Sequence, residues 1–75
     1  MNAVQLKMAR VALGLTVRQA AELSGTSHDT ITRIESGQTL KPSTIAKIRG
    51  ALESAGVEFI AENGGGPGVR LSKRD

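Results

Sequence analysis

Apolar residues recur along the first two-thirds of the chain with the period of an α-helix. Leu6, Ala9, Arg10 and Leu13 stand at i, i+3, i+4, i+7, which predicts an amphipathic helix over residues 3–13 that stops at Gly14. Thr16, with Gln19 three positions on, has the form of a capping box, so a second helix is expected from about Val17 to Ser24 and is ended by Gly25. Ser27 is the next N-cap candidate. Ile31 and Ile34 then face inward on a third helix that closes at Ser36-Gly37. After a loop from Gln38 to Lys41, Pro42-Ser43 opens a fourth helix, in which Ile45, Ile48 and Leu52 repeat up to Gly56.

Beyond Gly56 the period changes from 3.6 to 2. Val57, Phe59 and Ala61 alternate with Glu58, Ile60 and Glu62, and a second short alternation runs over Val69, Arg70 and Leu71. Between them lies Asn63-Gly64-Gly65-Gly66-Pro67-Gly68, which is dense turn chemistry. The pattern predicts a β-hairpin. Such a hairpin is marginal alone in water, so it must lie on a helix face or on a second subunit. The expected organisation is all-α: a four-helix domain over residues 1–56, followed by a short C-terminal β-hairpin and polar tail over 57–75.

Composition narrows this picture. A chain of 75 residues buries only about 60% of its unfolded surface, and with 1% aromatics its core must be aliphatic, Phe59 being the one ring. With no Cys and a single His there is no disulfide and no metal-ligand spacing, and no cofactor is expected. No nucleophile and base can be assembled from this inventory, so an enzyme is not expected. The chain shows neither a membrane-length apolar run nor a signal peptide, and a cytoplasmic protein with no membrane partner is expected. The net charge of +3 resides in residues 1–56, while residues 57–75 balance. A modest basic excess suits a polyanionic partner.

The span Thr16 to Gly37 resembles the Cro and phage-repressor (Xre-type) helix-turn-helix family. Gly14-Leu15-Thr16, Ala21 four residues before Gly25, Ser27, Ile31, Ile34 and the ending Glu35-Ser36-Gly37 carry the likeness, which extends over about residues 3–55. The spacing also has its own logic, because two helices crossing steeply need a small residue at the crossing, here Ala21, and the short turn needs Gly25. Ala20 departs from the larger aliphatic residue usual in the family, and Leu15 or Leu23 is expected to compensate. The tail from Gly56 to Leu71 resembles that of a group of short bacterial helix-turn-helix proteins.

The resemblance implies a lambda-repressor-like domain that binds double-stranded DNA as a transcriptional regulator, with the third helix in the major groove. Outward positions on that helix select His28, Asp29, Thr32 and Arg33 for base reading, Arg33 foremost because a guanidinium can donate to guanine O6 and N7. Thr16, Arg18, Gln19, Ser27, Gln38, Thr39 and Lys41 are candidates for phosphate contact. Asp29 has the alternative role of a favourable charge at a helix N-terminus. The resemblance further implies an internal ion pair between Arg10 and Glu35.

One such helix reads few base pairs, so a homodimer on DNA is expected. Val4, Met8 and Val11 form a second apolar stripe on helix 1, and with Phe59, Ile60, Val69 and Leu71 of the hairpin they are candidates for dimer or protein contact. Either the hairpin covers this stripe or a partner does. The competing function is an antiactivator that binds a transcriptional activator protein instead of DNA. An antitoxin or restriction-modification controller would keep the DNA site and add a protein-binding tail.

Overall fold

The computed structural model describes residues 1–61 and 64–72. Glu62 and Asn63, read above into the strand alternation and the turn, and Lys73, Arg74 and Asp75 of the polar tail lie outside the described residues. The elements follow in the order α1 (Ala3–Ala12), α2 (Val17–Ser24), α3 (His28–Glu35), α4 (Pro42–Ser54), β1 (Val57–Ile60) and β2 (Gly68–Leu71).

Each helix begins and ends where local chemistry directs. Thr16 Oγ1 accepts from the Gln19 N–H at 3.1 Å while Gln19 Oε1 accepts from the Thr16 N–H at 2.9 Å, so the expected capping box starts α2. Asn2 and Gln5 form an equivalent box at α1 that the sequence reading did not identify. Ser27 caps α3 through the Thr30 N–H, and Pro42 opens α4 with a fixed φ and no N–H to satisfy. Gly25 ends α2 in the left-handed region at φ +67°, where a Cβ would be strained. That reversal lets the Thr26 N–H donate to the Ala21 carbonyl at 2.9 Å and turns the chain into α3.

The inward stripes converge as their periodicity demands. Leu6, Ala9, Ala21, Ile31, Ile34, Ile48, Leu52 and Val57 form one core, with Leu13, Leu15, Ile45, Phe59 and Val69 packed partly buried against it. Leu6, Ile31, Ile48 and Leu52 are fully enclosed, and each contributes about 2 kcal/mol of apolar burial. Ala20 and Ala21 are buried where α2 approaches its neighbours. Leu15 packs partly buried against the core, whereas Leu23, the other residue expected to offset the small Ala20, is 45% exposed and does not fill the core.

The hairpin forms antiparallel with Val57 opposite Leu71, Glu58 opposite Arg70, Phe59 opposite Val69 and Ile60 opposite Gly68. It docks on its own chain, β1 against α4 and α1, β2 against α1. Val57 belongs to the core, so the hairpin completes the same hydrophobic cluster that the helices begin. Gln5 fastens it: this buried side chain donates through Nε2 to the carbonyl oxygens of Ile60 at 3.0 Å and Gly68 at 3.1 Å, and accepts through Oε1 from the Asn2 N–H. A buried amide is tolerated because all its partners are supplied.

Docked in this way, the hairpin does not cover the second stripe of α1. Val4 is 61% and Val11 62% exposed, with Met8 half-buried between them. Phe59 and Val69 turn toward the core, leaving Ile60 and Leu71 as the exposed apolar residues of the hairpin.

Candidate nucleic-acid interface

α3 is the element on which the candidate site is built. Its eight residues are anchored by Ile31 and Ile34, which are buried, so the opposite side of the helix must face outward. His28, Asp29, Thr32 and Arg33 are all exposed there, as the sequence reading required. The orientation of α3 is set by α2 on one side and by Arg10 on the other. The Arg10 guanidinium meets Glu35 at the end of α3 with Nε to Oε2 at 2.8 Å and Nη2 to Oε1 at 3.0 Å, and these hydrogen bonds raise its already high pKa further.

The flanking candidates divide into two groups. Thr16, Arg18 and Gln19 sit at the exposed N-terminus of α2, where Thr16 and Gln19 occupy each other in the capping box and the first amides of the helix have no intrahelical acceptor. Gln38, Thr39 and Lys41 lie exposed in the loop between α3 and α4. Ser27 is exposed, and its hydroxyl is engaged with Thr30. Two exposed cations, Arg18 and Lys41, thus precede and follow in sequence a helix that carries Arg33 in its last turn and Asp29 in its first.

Sequence reasoning missed how the charged groups on α3 are connected. Arg33 Nη1 lies 3.8 Å from Asp29 Oδ2 one turn earlier, and Arg33 Nε donates to Gln38 Oε1 at 2.9 Å. The first contact has the i, i+4 spacing that could have announced it. The second spans five residues and depends on Gly37, whose φ of +98° reverses the chain so that the Gln38 N–H donates to the Arg33 carbonyl at 3.0 Å. This is the bond pattern that closes a helix with a left-handed residue, and it folds Gln38 back over the end of α3.

A family model described as a helix-turn-helix domain matches residues 3–58, most of the chain, from the start of α1 into β1. The chain belongs to the helix-turn-helix domain family. No curated protein matches it. A helix-turn-helix motif is two helices joined by a short turn, an arrangement that α2, Gly25 and α3 have here. A helix-turn-helix domain is a DNA-binding module of regulators. Among the described residues no helix is long and apolar enough to cross a membrane.

Proposed function

We propose that this protein is a sequence-specific DNA-binding transcriptional regulator of the phage-repressor and Cro type, which lays α3 in the major groove and binds as a dimer. The observation that carries this reading is the two-sided character of α3. Ile31 and Ile34 lock one side into the core, while His28, Asp29, Thr32 and Arg33 are exposed together on the other, and Arg18 and Lys41 are exposed in the segments before and after the helix. Arg33 donates to guanine O6 and N7, His28 to a purine N7, and Thr32 contacts a thymine methyl. The amides and side chains at the start of α2, with Lys41 and Thr39 in the following loop, hold phosphates and set the register.

A dimer fits the dimensions. The domain measures 30 × 29 × 19 Å, so two copies side by side suit recognition helices about 34 Å apart in successive major grooves. Bound at a promoter, such a dimer blocks or recruits polymerase.

The test is binding of the purified protein to duplexes selected from a randomised pool and to its own upstream DNA, at two salt concentrations, with Arg33→Ala alongside. Tight, salt-dependent binding that loses about 1–3 kcal/mol of discrimination at one base pair in the variant is the expected result. Weak binding indifferent to sequence and to Arg33 overturns it.

One observation favours a second reading. Exposed Val4 and Val11, with half-buried Met8 between them, line a shallow surface depression with Lys7 and Ala12, which suits an antiactivator that grips a transcriptional activator protein. If the DNA test fails, disruption of an activator complex by Val4→Glu distinguishes this role.

A further inference from the structure

Arg33 does not project from α3 as an unsupported side chain. Gln38 Oε1 takes its Nε–H at 2.9 Å, and Asp29 Oδ2 stands 3.8 Å from Nη1. Gln38 is itself held by the backbone, its N–H on the Arg33 carbonyl and the chain reversed at Gly37. The guanidinium is thus held at Nε by Gln38, with the Asp29 carboxylate near Nη1. Among the described residues Nη1 and Nη2 make no hydrogen bond, and the parallel N–H pair they share matches the adjacent O6 and N7 acceptors of a guanine.

We propose that Gln38 and Asp29 are positioning residues that aim Arg33 at a guanine, and that neither contacts the DNA backbone or reads a base itself. The inference rests on the DNA-reading role of α3 argued above and names what sets its specificity. Stability does not account for the arrangement, since with side-chain exposures of 47% for Arg33 and 78% for Asp29 the ion pair is a surface pair of little energetic weight. Its effect is on conformation. A long, rotamer-rich side chain restricted before binding loses less freedom on docking, so contact with the correct base is favoured over a loose contact with a nearby phosphate. Asp29, a carboxylate facing a groove flanked by phosphates, is compatible with docking because the Arg33 guanidinium lies against it.

The experiment is a mutant cycle read on a duplex that the wild-type protein selects from a randomised pool, and on its single-base-pair variants. Gln38→Ala is expected to reduce the preference for guanine at one base pair about tenfold, a part of the discrimination a two-pronged arginine contact supplies, and to leave affinity for unrelated duplexes unchanged. Gln38→Glu, which keeps the acceptor oxygen, retains the preference. In an Arg33→Ala background Gln38→Ala has no further effect, and Asp29→Asn alone relaxes preference at that same base pair. Uniform weakening on all duplexes by Gln38→Ala, or an effect that persists without Arg33, places Gln38 on phosphate and overturns the proposal. Wild-type protein with no base preference overturns it together with the DNA-reading function, whereas Arg33-dependent preference indifferent to Gln38 and Asp29 overturns it alone. Thermal unfolding of each variant confirms that these exposed substitutions leave the domain folded.

Discussion

Arg10 and Glu35 grip each other through two parallel hydrogen bonds, and the same guanidinium donates through Nη1 to the Leu15 carbonyl at 3.1 Å. One side chain thereby ties α1 to the end of α3 and to the turn that precedes α2. Both partners are largely withdrawn from water, with side-chain exposures of 14% and 11%. Removing one strands the other in a poorly solvated place. Arg10→Ala is expected to lower stability by about 3 kcal/mol in urea unfolding. Because the pairing raises the Arg10 pKa, its contribution is complete below the ordinary guanidinium range and is lost only at pH above it. The deficit of the variant should therefore be the same at about pH 6.5 and about pH 9.

Gln5 is the polar fastener between α1 and the hairpin. Gln5→Ala removes the side-chain bonds that tie the Ile60 and Gly68 carbonyls to α1, together with the acceptor for the Asn2 N–H. A loss of about 2 kcal/mol is expected, with amide exchange accelerated first in residues 57–60 and 68–71. Equal acceleration across all helices, with the hairpin no more affected than α2, would refute this role.

Lys41 and Arg33 are expected to fail differently on DNA. Lys41→Ala should weaken binding to all sequences alike and reduce the salt slope by about 1, whereas Arg33→Ala should act chiefly at one base pair. Anisotropy titrations over a salt series separate the two. A sequence-selective effect of Lys41→Ala would move it from the phosphate group to the base-reading group.

Val4 and Val11 are solvent-exposed in the single chain, so Val4→Glu and Val11→Glu should change stability by no more than about 0.5 kcal/mol. If α1 forms the dimer contact, both variants sediment as monomers and bind a two-half-site duplex no better than a single half-site. Unchanged dimers would direct attention to Ile60 and Leu71 instead.

Helices α1 to α4 could be read in the sequence because each is punctuated locally. Thr16 with Gln19, Gly25, Ser27 and Pro42 act within a few residues of themselves, and Ile31, Ile34, Ile48 and Leu52 report their buried side by spacing alone. The exposed row on α3 was legible for the same reason, since fixing the inward residues fixes the outward ones. What could not be read were contacts between elements. The amphipathic character of α1 announced two apolar sides without saying which one the hairpin takes, and the hairpin settles beside Gln5, a residue with no apolar signal. The bond from Arg33 to Gln38 was equally hidden, because its five-residue spacing belongs to no helical pattern and arises only from the reversal at Gly37.

The fastening by Gln5 also sets an order of events in time. Its acceptors at Ile60 and Gly68 lie 55 and 63 positions away along the chain, and Val57, a core residue, lies on the same hairpin. During synthesis the four helices are made before the strands that finish their core. Local helical turns form quickly, but bringing the hairpin back to α1 closes nearly the whole length of the chain, and that entropy is recovered only once the strands dock. Docking of the hairpin is therefore expected to be a late step of folding, and until it occurs α3 stands on a core that lacks Val57.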